Sequence, residues 1–164
     1  MKKSAEDDEM ETIIAPGRAD YVRGGDKKNG CIFCIGSARE EKLILHEGET
    51  CFVIMNKFPY TAGHVMVAPY RHLSTVTDLV PEEKLELMNL IDRSVLALKK
   101  AFNPEGFNIG MNLGKVAGAG VDQHIHIHVV PRWSGDTNFV SVLGDVRIIP
   151  EEIENTRDTL KNCF

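Results

Sequence analysis

The chain lacks any apolar run approaching the roughly eighteen residues that a membrane helix needs. Its start passes from Lys2 and Lys3 straight into Glu6, Asp7, Asp8, Glu9 and Glu11 without the apolar core of a signal peptide. The expectation is a chain that stays in the cytoplasm, with no membrane partner. A basic surplus is also missing: 19 Lys and Arg against 24 Asp and Glu leave a formal charge of -5. Duplex nucleic acid would find no broad cationic surface, so an anionic ligand must be held by a few placed donors, a restriction that small nucleotides meet. Cysteine is scarce, and the 4 present in a chain without a leader argue against a disulfide scaffold. Cys51 and Cys163 stand alone, whereas the spacing Cys31-x-x-Cys34 suits redox or metal chemistry.

What is present fits one domain: 164 residues with 43% apolar composition are ordinary for a single core, and no internal repeat appears. Residues 1 to 30 read as a tail and arm. The first dozen or so are too acidic and too weakly apolar to order themselves, and Gly24 to Gly30 is loop-forming by composition. From residue 31 the chain alternates strand signals with short turns. Leu43 to His46 and Cys51 to Asn56 form a hairpin around Glu47-Gly48-Glu49-Thr50, and His64 to Ala68, Gly106 to Met111 and Gln123 to Pro131 supply three more strands. Pro81, followed by Glu82 and Glu83, starts a long helix that must end before Pro104. Its apolar stripe is Leu85, Met88, Ile91, Val95, Leu98 and Phe102, with Leu87, Leu90 and Leu96 beside it. That is either a well-buried helix or one with a second apolar face. Pro150 with Glu151 and Glu152 opens a terminal helix to about Asn162. The predicted class is α+β, an antiparallel sheet with helices on one face.

Half of the 6 histidines lie in one segment, Gln123-His124-Ile125-His126-Ile127-His128-Val129-Val130-Pro131-Arg132-Trp133. In a strand, alternate side chains share a face, so His124, His126 and His128 line one side while Ile125, Ile127 and Val129 face the other. The plain alternative is a solvated strand face that happens to carry histidine. Before this strand, residues 112 to 121 form a glycine-rich loop with Gly114, Gly118 and Gly120, and such backbone amides can wrap phosphate.

The sequence resembles the histidine triad (HIT) family, whose signature of three alternating histidines followed by two apolar residues is met by His124 through Val130. Gly63-His64-Val65-Met66-Val67-Ala68-Pro69-Tyr70-Arg71-His72 resembles its Gly-His strand, and Phe52-Val53-Ile54-Met55-Asn56 its ribose-binding strand. The likeness runs over roughly residues 31 to 139, with 140 to 164 as an extension. It implies a HIT-like five-stranded antiparallel sheet with one long inserted helix and a C-terminal helix, in a homodimer whose sheets join edge to edge.

For the site, the resemblance implies that His126 attacks phosphorus and gives a nucleotidyl-histidine. His126 would donate its other N-H to a carbonyl of the triad strand, with His128 on a phosphate oxygen or leaving group and His64 in support. Asn56 would bind ribose, and Asn112, Gly118, Gly120 and Val121 would line the phosphate loop. Gly120-Val121 replaces the family's Gln-Ser or Gln-Thr and so removes a hydroxyl. Phe33, Ile35 and Phe58 could enclose the base, and Lys57 and Arg132 contact phosphate or stand as surface charges. Cys31, Cys34, His72 and His124 match a set that binds structural zinc in some relatives; the alternative is two free thiols.

Trp133-Ser134-Gly135-Asp136-Thr137-Asn138-Phe139 is similar to the branch that contains diadenosine tetraphosphate phosphorylases. This implies phosphate as acceptor, with Trp133 shielding the site and Asn138 or Arg132 orienting the anion; Trp133 could instead cover the sheet edge. Three functions are therefore carried forward: phosphorolysis of dinucleoside polyphosphates, hydrolysis of these or of phosphoramidates by water, and noncatalytic nucleotide or metal binding.

Overall fold

The computed structural model describes residues 30–35, 39–136 and 152–164. Nearly all of the expected N-terminal tail, Asn138, and the Pro150-Glu151 helix start lie outside the described residues. Strands β1 (Ile44–Glu47) and β2 (Cys51–Met55) form the expected antiparallel hairpin. Its turn is closed by the Gly48 N-H donating to the Cys51 carbonyl at 2.8 Å. β3 (Val65–Pro69) runs antiparallel to β2, in register from Cys51 opposite Pro69 to Met55 opposite Val65. Then come the long helix α1 (Pro81–Phe102), β4 (Gly106–Gly110), β5 (Ile127–Arg132) and the short helix α2 (Ile153–Lys161). The sheet order is β1-β2-β3-β5-β4 with every neighbouring pair antiparallel. The anticipated α+β architecture is therefore the one found.

Two devices seat α1 on the sheet. The Glu83 carboxylate accepts the Val80 N-H at 3.0 Å and so caps the helix start, and Arg71 grips both of its oxygens. One turn on, the Glu86 carboxylate accepts the backbone N-H groups of Glu49, Thr50 and Cys51, which ties the hairpin turn to the helix. At the other end Asn103 takes a left-handed conformation with φ 46°, a stop that Asn tolerates before Pro104. Gly63, at φ 78°, passes so close to α1 that a Cβ there would lie 2.9 Å from a Leu98 methyl. Only glycine fits both the angle and the space.

Three boundaries or faces depart from expectation. The buried face of α1 is Leu87, Leu90, Ile91, Ser94, Ala97 and Leu98, whereas Leu85, Met88 and Leu96 are exposed. With about 3.6 residues per turn, Leu85 and Leu96 project nearly opposite Leu87; of the expected stripe, Ile91 and Leu98 are buried and Val95 and Phe102 pack against the core, while Leu85 and Met88 face away from it. β5 begins at Ile127, not Gln123, because the Ile125 N-H bonds the Leu73 carbonyl at 2.7 Å instead of a β3 partner. Glu152 is extended, with ψ 146°, so the last helix begins at Ile153, three residues after the expected start at Pro150. Among the described residues no helix is long and apolar enough to cross a membrane.

Leu98 is fully buried, while Leu96, two residues away, is 66% exposed. Leu98→Ala should cost about 3 kcal/mol in urea denaturation and Leu96→Ala less than about 0.5 kcal/mol. Equal losses would mean that the core face is wrongly assigned.

Candidate functional site

The three triad imidazoles and His64 form a compact group in which each ring has a different set of partners. His126 is 7% exposed, and its Nδ1 lies 2.8 Å from the His124 carbonyl oxygen. A carbonyl can only accept, so Nδ1 carries the proton and Nε2 keeps its lone pair. Burial holds the His126 imidazole below its ordinary pKa, against the carbonyl bond that raises it. The ring is thus neutral at physiological pH, the form in which Nε2 is a nucleophile.

His64 is completely buried. Its Nδ1 accepts the Tyr60 backbone N-H at 3.1 Å, which leaves the proton on Nε2 to donate to His128 Nδ1 at 2.9 Å. His128 then carries its own proton on Nε2. Two neighbouring rings, centred 4.9 Å apart, are therefore set in opposite tautomers: His126 offers a lone pair and His128 offers a donor. Such a pair can attack phosphorus and stabilise the charge that develops on its oxygens.

The Asn56 carboxamide is used within the group. Its oxygen accepts the Phe58 N-H at 2.9 Å and its nitrogen lies 3.3 Å from His64 Nδ1. Tyr60, which the sequence reading passed over, also belongs here, with its ring centred 4.7 Å from His64. The only available signal was its place between Asn56 and His64.

His124 faces away from this pair. Its Nε2 donates to the Pro69 carbonyl at 2.9 Å, so Nδ1 is left with a lone pair, 3.3 Å from Cys31 Sγ and 3.5 Å from Cys34 Sγ. His72 Nδ1 is 3.3 Å from Cys34 Sγ. One donor atom from each of Cys31, Cys34, His72 and His124 lies within 4.8 Å of all the others. Burial and the adjacent Cys31 thiol push Cys34 up to about 11. The knuckle also carries Phe33, which is 1% exposed and stacks on His126 instead of opening toward solvent. Ile35 is 66% exposed and Phe58 53%.

Other expected contacts fall elsewhere. Lys57 pairs with Glu40 at 2.5 Å. In the glycine loop the amides of Ala117, Gly118 and Ala119 turn back onto the carbonyls of Gly114 and Lys115, and Asn112 donates to the Gly118 carbonyl at 3.3 Å. Of the residues that follow, Gly120 is exposed and Val121 half-buried. Arg132 is bound through Nε and Nη2 to Asp136 and through Nη1 to Asn108. The Trp133 indole N-H donates to the Phe102 carbonyl at 3.3 Å, which places its ring over the end of α1. A cleft of about 510 Å³ beside His128 is lined by Tyr60, Asn108, Met111, Asn112, Arg132 and Asp136, among others.

An antiparallel five-stranded sheet, one long crossing helix and a row of alternating imidazoles define a histidine-triad domain. The chain belongs to the HIT family: the family model described as HIT domain matches residues 38–135. Among curated proteins it is 41% identical to the AP-4-A phosphorylase of Mycobacterium tuberculosis over 121 residues, 74% of this chain and 62% of that protein. The chain thus spans less than two thirds of that relative. It is 37% identical over 88 residues to the bis(5'-adenosyl)-triphosphatase of Dictyostelium discoideum, covering 54% of this chain and 58% of that one. A crystal structure of a zinc-bound histidine triad family protein from Mycobacterium smegmatis superposes with a TM-score of 0.61 at 31% identity, covering 74% of this chain and 82% of that chain.

Proposed function

We propose that this chain cleaves dinucleoside polyphosphates by transferring a nucleotidyl group first to His126 and then to inorganic phosphate. The observation that carries the reading is the His126 Nδ1 to His124 carbonyl bond at 2.8 Å, which leaves Nε2 unprotonated. In the first step Nε2 attacks the α-phosphorus and the P-O bond to the remaining polyphosphate breaks. His128, protonated on Nε2 in this tautomer chain, stabilises a phosphate oxygen or the departing group. In the second step a phosphate oxygen attacks the same phosphorus and the P-N bond breaks, so diadenosine tetraphosphate yields ATP and ADP. Arg132, in the cleft beside His128, is the cation best placed to meet the incoming anion, and the likeness to the AP-4-A phosphorylase supports that acceptor.

Water is the competing acceptor, and the Arg132–Asp136 pair favours it. A guanidinium already bridged to a carboxylate at 2.5 and 2.9 Å is a weaker ligand for phosphate.

The thiol–imidazole cluster fits a metal. Its two sulfurs and two nitrogens are a donor set that structural zinc takes, and the His124 Nε2–Pro69 carbonyl bond is the outer contact that typically orients a metal-binding imidazole. We propose zinc held by Cys31, Cys34, His72 and His124. With all four positions filled by protein, the ion would cross-link the knuckle to the triad segment. Reduced thiols of this kind suit the cytoplasm.

A second copy of the chain belongs to the same proposal. β4 is a sheet edge without a charged residue, exposed at Asn108, Ile109 and Gly110, and a bare edge of that kind is a pairing site. Two such five-stranded sheets would join through it. Sedimentation equilibrium should give a dimer; a monomer at micromolar concentration removes this part.

With diadenosine tetraphosphate, product chromatography should show ATP and ADP formed only when phosphate is added. His126→Ala should lower turnover by several orders of magnitude and abolish acid-labile labelling by a radiolabelled nucleotide. AMP release unchanged by phosphate would select the hydrolase, and labelling that survives in His126→Ala would reject the nucleophile. Elemental analysis of protein purified without added metal should find one zinc per chain. Cys31→Ser should lose both the metal and thermal stability, since an ion bound only by the folded state stabilises that state. A metal-free wild type of undiminished stability would return the thiols to incidental status.

A further inference from the structure

A single hydrogen bond fixes where His126 Nδ1 points but acts as a hinge, about which the imidazole plane is still free to swing. Something else must set the plane. Phe33, buried to 1% exposure, has its ring centred 4.7 Å from His126 at an interplanar angle of 30°. It also lies 5.3 Å from His124 at 51°. Elsewhere on its perimeter His126 meets the His128 ring at 78°, so the imidazole has a flat partner at one contact and a ring edge at another. We propose that Phe33 is a positioning residue for the nucleophile, its ring holding the His126 imidazole in one plane and so fixing where Nε2 points. This rests on the reading of His126 as the nucleophile.

Phe33 is itself held by the thiol knuckle. Its backbone N-H donates to Cys31 Sγ at 3.4 Å, and the Cys34 N-H donates to the Cys31 carbonyl at 3.2 Å. The turn that brings the two sulfurs toward His124 is thus the turn that lays the phenyl ring on His126. Stacking of offset or tilted rings is a preferred geometry with a modest attraction, but its importance here is angular. Displacement of a reacting atom by about 1 Å is enough to cost about a hundredfold in rate.

The test uses Phe33→Leu, which keeps an apolar side chain of similar bulk and removes the flat ring. The full-length variant should retain the metal content of the parent protein and, with a ring lost from the core, a thermal midpoint lowered by only a few degrees. It should lose about ten- to hundredfold in kcat with KM unchanged, because an interaction that aims the attacking atom acts in the transition state. Crystal structures of both proteins should keep the His126 Nδ1 to His124 carbonyl bond, with the imidazole in one plane in the wild type and turned from it, or split between two planes, in the Leu variant. A raised KM with unchanged kcat would make Phe33 a wall of the nucleotide site and overturn the proposal. So would unchanged kcat, or a fall in kcat with the His126 plane unaltered. If Phe33→Leu does not fold, Phe33→Tyr is read in the same way; because it keeps the ring, it should preserve the single plane, and a turned or split imidazole there overturns the proposal. A wild type that cleaves no dinucleoside polyphosphate would remove the proposed reaction, while the structures would still decide whether Phe33 sets the ring.

Discussion

The site depends on one hydrogen bond inside two residues of chain, from His126 Nδ1 to the carbonyl of His124. It exists only because the backbone there leaves the β3 ladder. The Ile125 amide bonds Leu73, the His124 ring bonds Pro69, and the carbonyl of His124 is thereby turned toward the ring two residues on. A continuous strand from residue 123 would have given that carbonyl to a neighbouring strand. The short break before Ile127 is thus what sets the tautomer of the central histidine.

His128, inside the regular strand, receives the opposite proton arrangement by a longer route. The Tyr60 amide imposes a direction on His64, and His64 passes it to His128. Backbone groups at two separate points in the fold therefore determine which nitrogen of each imidazole is a donor and which a lone pair. No charged side chain is needed for this, in keeping with a site whose rings are neutral and largely withdrawn from water.

Much of this was legible in the sequence. Period-two histidines, the Gly-His motif and punctuation by glycine and proline gave the strands and their order of use, and β2, β3 and α1 fell within a residue or two of expectation. The core face of α1 was legible only in part: Ile91 and Leu98 are buried as expected, but leucines occur on both sides and only the packed sheet decides between Leu87 and Leu85. Residue choice pointed to Cys31, Cys34, His72 and His124 together, yet nothing local showed that Phe33 between the thiols would turn inward onto His126. Nor did glycine content reveal that three amides of the 112–121 loop would close on their own carbonyls. Tyr60 contributes a backbone amide to the proton chain, and any residue type except proline supplies that group.

The imidazole of His124 lies in the sulfur cluster and its carbonyl holds His126 Nδ1, so one residue is shared by both groups. Were the proposed cation and nucleotide to bind there, and were the cation to sharpen the pose of His126 and so raise affinity for the nucleotide, the nucleotide would by linkage tighten the hold on the cation by the same factor. In that case the ion would leave most readily when the nucleotide is scarce.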